Sequence, residues 1–465
     1  MAEMAEHPTV REWQARQDAA GTVAHEAGGE PLDADWLKQF CRDLGADDVG
    51  FVALDDPDLD PVIAGELPDI KAALPGAKAL ISFVCRMGRG NIRNPARSIA
   101  NLDFHHTNGQ VDATAIAIVQ QLERRGVAAT TGAPTGFPME AERWPGKMWL
   151  VSHKPVAVAA GLGRMGIHRN VIHPVFGNFI LLGTVIIDRA VTVTGTPIDY
   201  NPCLECKLCV AACPTGAIAA DGHFDFSACY THNYREFMGG FGDWVETIAS
   251  SGSARGYRAK VTDPETISMW QSLAYGPNYK AAYCLAVCPA GSDVIGPYLT
   301  DRANFTRQYV KPLRDKVETI YVEAGSDAEA YVARVFRHKK LKRVKGGRRP
   351  ANIEGFLRAL PIFFQRGRAG DLTARYHFTF TQPAGKAAQE AAAAPVKATI
   401  VIAEGRISVE RGHHGMADLA VTTDAATWIR FLRKETSLPL ALLRRHVRLK
   451  GAPRLLLAFG RCFPG

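Results

Sequence analysis

Four cysteines in the middle of the chain constrain its fold more than any other feature. Cys203, Cys206, Cys209 and Cys213 have the spacing C-x2-C-x2-C-x3-C, and Pro214 follows them. Three thiolates on so tight a loop can hold one iron–sulfur cube, while the fourth starts a helix and reaches a second cluster. Zinc ribbons instead use two C-x2-C pairs separated by about 15 residues or more. Because soft, charged thiolates also suit iron, the spacing predicts iron–sulfur clusters.

Three further cysteines extend this pattern to two clusters. Cys229 follows the motif, and Cys284-x3-Cys288-Pro289 resembles the end of a second ferredoxin motif. In two-cluster ferredoxins, the last cysteine of each motif binds the other cluster. That rule assigns Cys203, Cys206, Cys209 and Cys288 to a first, 4Fe-4S cluster and leaves Cys213, Cys229 and Cys284 for a second.

The second cluster is one thiolate short, because Ala281 stands three residues before Cys284, where a complete motif has cysteine. A 3Fe-4S cluster, or a 4Fe-4S cluster with a ligand other than cysteine, reconciles the count, and both remain open. The remaining cysteines, Cys41, Cys85 and Cys462, are predicted to be buried apolar residues.

Length and charge limit the class of protein. A chain of 465 residues predicts two or three domains, and 47% apolar with 22% charged residues is typical of globular proteins. The net charge of +8 is concentrated in residues 337–349, which carry eight basic and no acidic side chains. We interpret this stretch as a solvated linker, with a docking patch for an acidic electron donor or an anionic membrane as the alternative. No nucleic acid is expected as the main partner, since such proteins usually spread basic residues over a face.

The pattern of helices and buried strands predicts an α/β fold for the first third of the chain. We expect a disordered arm (1–30), an α/β domain (31–200), a ferredoxin-like iron–sulfur module (201–292), a helical segment with the basic linker (293–350) and an α+β domain (351–465). The longest apolar run, 179–187, is about half of the roughly 20 residues that a membrane span needs. Without such a span or an apolar signal core near the N-terminus, a cytoplasmic location is expected.

A glycine-rich segment precedes the cysteines. Residues 160–170 read AGLGRMGIHRN and are followed by the apolar run FILLGTV at 179–185. Together with the long-spaced two-cluster module, this order resembles the epoxyqueuosine reductases and the cobalamin-dependent reductive dehalogenases, over roughly residues 33–291. The resemblance implies a base-off cobalamin in the N-terminal domain, along which Gly161, Gly163, Gly166, His168 and Asn170 would lie. The alternatives are a turn whose glycines serve packing, or a dinucleotide-binding G-x-G-x-x-G turn with Asp188 as the ribose-binding acid.

The family's general acid is missing. Epoxyqueuosine reductases carry an Asp upstream of the glycine-rich segment, but no Asp lies between Arg143 and Ile187 here. Lys147 and His153 are the candidate proton donors, with a solvated loop position as the alternative for each. The long loop 132–147 before them is predicted to have a binding role.

The last 110 or so residues resemble the sterol-carrier-protein-like fold. The matching segments are 398–410, 417–421, 425–428 and 449–451. That family implies an apolar tunnel for acyl chains or sterols, while a closed core is the alternative. The candidate lining residues are Trp428, Phe431, Leu432, Leu442, Leu443, Leu455, Leu456 and Phe459.

These observations predict an iron–sulfur oxidoreductase. Electrons from a small donor protein of the ferredoxin or flavodoxin type would pass through two clusters to cobalamin and reduce an organic, apolar substrate. Two alternatives remain: an electron-transfer or corrinoid-handling protein without substrate chemistry of its own, and a lipid-binding redox sensor.

Overall fold

The computed structural model describes residues 6–20, 29–132, 149–237, 239–275, 280–345, 350–381, 394–433 and 435–464. Helix α1 covers Pro8–Ala20, so the prediction of a disordered arm is wrong for this stretch. Pro8 fits the first turn of a helix, and the Ala, Arg, Gln and Glu residues behind it have high helix propensity. Among the described residues, no helix has the length and apolar character needed to cross a bilayer.

The N-terminal unit is a four-stranded sheet covered by helices. The sheet order is β1-β2-β6-β3, and every neighbouring pair is antiparallel. The prediction of a mixture of helices and strands is confirmed, but the sheet lacks the parallel pairs of a classical α/β domain. The strands are β1 (Asp48–Ala53), β2 (Ala79–Arg86), β3 (Ala129–Thr131) and β6 (Ile180–Ile187), and the helices are α2 (Ala34–Asp43), α3 (Pro61–Ala73), α4 (Arg89–Ile92), α5 (Arg97–Glu123) and α6 (His153–Ala159).

Two apolar cores lie on the two faces of this sheet. Helices α2 and α5 cover one face, and α3 and α6 cover the other. Strand β6 is central, and its apolar residues alternate between the two cores. Cys41 and Cys85 are fully buried in the first core, which confirms their prediction as apolar core residues. The sheet is thus a rigid base for the loops that leave its strands.

The cysteine region is built from short helices joined by loops. Strands β4 (Arg164–Met165) and β5 (Val171–Ile172) form a small hairpin ahead of it. The helices are α7 (Leu208–Ala212), α8 (Phe226–Asn233), α9 (Gly239–Ala249), α10 (Ala254–Arg258), α11 (Asp263–Tyr275) and α12 (Tyr283–Val287). Helices α7 and α12 pack against one another, which brings the two cysteine motifs together despite their separation in sequence.

Residues 293–350 were predicted to be a helical segment followed by a basic linker. They contain more secondary structure than that, including two strands. The elements are helices α13 (Gly296–Thr300), α14 (Arg302–Phe305) and α15 (Lys311–Asp315), a π-helix (Thr306–Val310), strand β7 (Thr319–Glu323), helix α16 (Asp327–Val335) and strand β8 (Lys340–Val344). Strands β7 and β8 pair in parallel. The basic residues around β8 therefore belong to a folded element.

Acidic partners explain how so basic a strand can form. Lys339 is buried and pairs with Glu318 at 2.9 Å, and Lys342 pairs with Glu265 at 2.7 Å. These carboxylates offset the desolvation of the ammonium groups. The interpretation as a solvated linker is wrong for residues 339–344, while residues 346–349 lie outside the described residues.

The C-terminal unit is a five-stranded sheet covered by helices. The sheet order is β11-β10-β9-β12-β13, with one parallel pair, β9 and β12. Its helices are α17 (Ile353–Phe363), α18 (Arg366–Ala369), α19 (Ala425–Leu432), α20 (Leu438–Leu443) and α21 (Arg454–Arg461), and its strands are β9 (Ala374–Thr381), β10 (Val396–Ala403), β11 (Arg406–Arg411), β12 (Leu419–Asp424) and β13 (Val447–Gly451). Cys462 is fully buried in its core, as the sequence predicts.

The C-terminal unit contacts the cysteine region directly. The amide of Gln365, 1% exposed, donates to Oδ2 of Asp225 at 3.1 Å and accepts from the backbone N–H of Asp327 at 2.9 Å. Arg366 forms a salt bridge with Asp221. These contacts join the unit to helix α8, which carries Cys229.

Candidate iron–sulfur and cofactor site

The first cysteine set surrounds one small cavity. Cys203, Cys206, Cys209 and Cys288 all line it. The loop before helix α7 brings the first three together, and two of its residues, Glu205 and Lys207, have left-handed backbone conformations. Such turns point successive N–H groups inward and suit an anionic group. The structure therefore brings together the four cysteines that the sequence assigns to a first cluster.

The second cysteine set lies on the wall of a much larger cavity. Cys213, Cys229 and Cys284 line this space of about 1090 Å³. Two of the sulfurs already accept hydrogen bonds: Asn233 donates to Cys229 Sγ at 3.2 Å, and Asn170 donates to Cys284 Sγ at 3.8 Å. In the described part of the chain, no three His, Cys, Asp or Glu side chains are placed to hold a single metal ion. An iron–sulfur cluster needs its thiolates farther apart than the ligands of a single metal ion, because each thiolate binds a different iron.

Burial keeps the free thiols protonated. It raises the pKa of Cys209, Cys229 and Cys288 to about 12, and that of Cys284 well above its usual value. Neighbouring cysteines act in the same direction, since thiolates repel one another. Metal ligation requires thiolates, so cluster loading must release these protons.

His168 lies at the border between the two cavities, because it lines both of them. The ring is 3% exposed, and Nδ1 accepts from the backbone N–H of Asn170 at 3.2 Å. Burial, and then the charge of Lys154, lowers the pKa of His168 to about 4. A neutral imidazole thus borders both cavities at neutral pH.

The glycines of the 160–170 segment pack against the chain itself. A β-carbon on Gly161 would lie 2.8 Å from the carbonyl oxygen of Thr196, one on Gly163 would clash with the carbonyl of Ile172, and one on Gly166 would contact the His168 ring. None of the three is among the residues that line the large cavity. Their small size serves internal packing, and the expectation that they lie along a corrin stays a prediction. His168 and Asn170 do line the cavity.

The alternative that the glycine-rich segment binds a dinucleotide is excluded. The glycines lead into the hairpin of β4 and β5, so no helix N-terminus follows them to receive a pyrophosphate. Asp188 is buried and accepts from Arg189 at 2.7 Å and from the backbone N–H of Ala128 at 3.0 Å. These hydrogen bonds hold the chain in place at the end of β6.

Of the two candidate proton donors, the structure describes one. His153 lines the large cavity, and its Nδ1 lies 2.8 Å from the hydroxyl of Thr184 on β6. Lys147 and the long loop 133–147 lie outside the described residues.

Two polar groups at the cavity were missed by sequence reasoning. Lys154 reaches into the cavity, where Nζ donates to the carbonyl oxygen of Arg169 at 2.6 Å and to Oδ1 of Asn170 at 3.3 Å. Ser152 also lines the cavity, and it donates from its hydroxyl and its backbone N–H to the buried Glu66, at 2.6 and 2.9 Å. Glu66 lies on α3, far away in sequence, so spacing alone offered no means of finding it.

The chain is similar to known iron–sulfur proteins over part of its length. Residues 196–219 match the family model described as a 4Fe-4S binding domain, so the chain carries such a domain at its first cysteine motif. It is 33% identical to the epoxyqueuosine reductase of Vibrio cholerae over 89 residues, which are 19% of this chain and 24% of that protein. The match thus spans about a quarter of that relative's length.

Two solved structures have weaker likenesses. An epoxyqueuosine reductase with a modified tRNA-Tyr stem loop is 15% identical, with a TM-score of 0.30 over 60% of this chain and 75% of that one. A catabolic reductive dehalogenase with 3-bromo-4-hydroxybenzoic acid is 17% identical, with a TM-score of 0.33 over 52% and 36%. The tRNA belongs to that relative, and the expectation that nucleic acid is not the main partner of this chain stays a prediction.

Proposed function

We propose that this chain is an iron–sulfur reductase in which two clusters pass electrons to a base-off cobalamin in the large cavity, for the reduction of an organic substrate. One observation carries the proposal: the second cysteine set lines the same cavity as the segment around Asn170, and His168 lines both that cavity and the one that holds the first cysteine set. Electrons that enter at the first cluster would thus have a short path to the cavity.

The cavity suits a large cofactor. Its volume of about 1090 Å³ exceeds the roughly 300–1,000 Å³ that is usual for drug-sized ligands. Trp149 lines it, and the indole Nε1–H is buried without a hydrogen-bond acceptor among the described residues. A buried donor of this kind costs free energy unless a ligand supplies the acceptor. A corrin with amide side chains would offer such acceptors.

The chain's own residues would hold the cofactor and deliver protons. Cobalamin, when bound, supplies the low-potential cobalt chemistry. His153 is the proton donor that we favour, because Thr184 orients its ring on the cavity wall. The carboxylate of Glu66 holds the neighbouring Ser152 in place, by accepting from its hydroxyl and its backbone N–H. His153 would supply the acid that the missing family Asp provides elsewhere.

A small donor protein of the ferredoxin or flavodoxin type is the proposed source of electrons. The loop around the first cysteine set is on the surface, where Leu204 is 45% exposed, Glu205 is also exposed and Lys207 is half-buried. An exposed apolar side chain with charged neighbours is typical of a small, transient docking site.

For the C-terminal unit we propose a sterol-carrier-like role in holding an apolar substrate or product. Trp428 is 2% exposed, packs against Phe356 and Phe378, and has no acceptor for its indole N–H among the described residues. Of the predicted lining residues, Leu456 and Phe459 are also buried. Leu443 is 82% exposed and is removed from the set, because helix α20 turns it to solvent.

Anaerobic reconstitution followed by EPR spectroscopy tests the proposal. The protein should show two reduced clusters, and added cob(II)alamin should give the spectrum of the base-off form. Cys229→Ser should lose the second cluster and keep the first, whereas Cys462→Ser, a buried thiol of the C-terminal unit, should keep both. Base-on cobalamin that stays free in solution would contradict the cobalamin part of the proposal.

Turnover separates a reductase from a protein that only handles corrinoid. With a chemical electron donor and a set of organohalide, epoxide and sterol-like substrates, the reductase should consume at least one of them. The C-terminal unit predicts that the productive substrate is among the apolar ones. Base-off binding without consumption of any substrate would favour the handling function instead.

A further inference from the structure

The position of the missing thiolate lies on the wall of the large cavity. Ala281 lines this cavity together with Cys213, Cys229 and Cys284. Its backbone is held in place from helix α5: its N–H donates to Asn101 at 2.9 Å, and its carbonyl oxygen accepts from Arg97 at 2.7 Å. A methyl group therefore stands where a complete motif has a sulfur, and the space beside it belongs to the cavity.

The described lining of the cavity carries a surplus of positive charge. Among the described residues, five lysine and arginine side chains line it, against a single carboxylate, that of Glu318. Glu318 is already paired, since it accepts from Lys339 at 2.9 Å and from the hydroxyl of Tyr283 at 2.7 Å. Even three cysteine thiolates would leave the five cations in excess. The five are Arg97, Lys154, Arg169, Lys280 and Lys316.

One of these cations has a donor without an acceptor. Arg97 is 9% exposed, and its Nε–H is buried with no hydrogen-bond partner among the described residues. Its two Nη atoms donate to backbone carbonyls, one of them that of Ala281. A buried guanidinium with a free N–H is costly unless an anion accepts from it. The guanidinium that carries the unused Nε–H thus contacts Ala281, the residue that stands in place of the cysteine.

We propose that the second cluster is a 4Fe-4S cluster held by three thiolates, and that a carboxylate from solution occupies its fourth position in this cationic cavity. The inference rests on the two-cluster proposal above and adds the ligand class. Such a carboxylate would bind as a ligand only, and its binding would transfer no electron. Oxygen donors suit the harder iron site that lacks a thiolate, and Arg97 and Lys154 supply the countercharge.

Acetate labelled with 13C in its carboxyl group is the probe. Pulsed ENDOR spectra of the reduced second cluster in the full chain should show a 13C coupling in the wild-type protein. Ala281→Cys should abolish the coupling, because the new thiolate takes the fourth position. Ala303→Cys, at an exposed residue outside the cavity lining, should retain it. Lys154→Gln should weaken acetate binding about tenfold, the loss of about 1.4 kcal/mol.

Three other outcomes of these spectra would overturn the inference. A 14N coupling from a ligand would mean that a side chain completes the site, and a second cluster that shows no 13C coupling would mean that no carboxylate from solution does. A wild-type protein that forms no second cluster would refute the two-cluster proposal as well. The wild-type spectrum decides these points even if Ala281→Cys does not fold.

Discussion

The hydroxyl of Ser152 donates a hydrogen bond of 2.6 Å to the carboxylate of Glu66, which is 4% exposed. The same carboxylate accepts from the backbone N–H of Ser152 at 2.9 Å. Glu66 therefore fixes the start of helix α6, whose residues His153 and Lys154 line the large cavity. A contact between two distant helices thus sets the position of the cavity wall.

Glu66→Ala should lower the free energy of unfolding by about 1–3 kcal/mol, because two partly buried donors of Ser152 lose their acceptor. Glu66→Gln should cost less, since its amide oxygen still accepts. Urea unfolding measures both values, with Lys71→Ala, an exposed residue on the same helix, as the matched control. Equal stability of Glu66→Ala and the control would show that this contact contributes nothing.

The two cysteines at the end of the second motif should serve different clusters. Cys288 lies with the first set and Cys284 with the second, although only three residues separate them. Cys288→Ser should therefore remove the EPR spectrum of the first cluster, and Cys284→Ser that of the second. Loss of the same cluster in both variants would refute this division of the ligands.

The stability of the protein should fall between pH 6.5 and pH 5. The pKa of His168 is lowered from 6.5 to about 4 in the folded chain, chiefly by burial, so the unfolded chain binds the proton more readily. The contribution of His168 is complete above pH 6.5 and is lost as the pH falls towards 4. At pH 5 the loss should be about 2 kcal/mol.

Anaerobic urea unfolding at pH 7 and pH 5 measures this loss. His168→Gln should remove most of the pH dependence, whereas His106→Gln, at an exposed position, should leave it as in the wild type. If His168→Gln keeps the full pH dependence, another group is responsible for it.

Lys339 and Lys340 are neighbours in a basic stretch but should differ strongly in their effect on stability. Lys339 is buried and bonded to Glu318, so Lys339→Ala should cost about 3–5 kcal/mol by leaving that carboxylate without its cation. Lys340 is exposed, and Lys340→Ala should change the free energy by less than about 0.5 kcal/mol. Thermal unfolding of the two variants makes the comparison, and similar melting temperatures would contradict it.

Local features of the fold were readable in the sequence. Asp is a residue type that favours the N-cap of a helix, and the carboxylate of Asp33 accepts from the backbone N–H of Trp36 at 2.8 Å. The hairpin at Gly405 and the strands on either side of it also follow from alternation and turn residues. The strand at Thr319–Glu323 was missed, since its partner is the basic segment Lys340–Val344, whose composition is typical of a solvated linker.

By itself, the sequence identified the loop that brings Cys203, Cys206 and Cys209 together, because spacing within a tight loop is a local property of the chain. It also showed that Ala281 stands where a complete motif has cysteine. Only the tertiary structure decided what surrounds that position. The cations Arg97, Lys154 and Lys280 come from separate segments of the chain, and the carboxylate of Glu66 reaches Ser152 from another helix. Such contacts depend on how the elements pack, and packing across long separations leaves no periodic trace in the sequence.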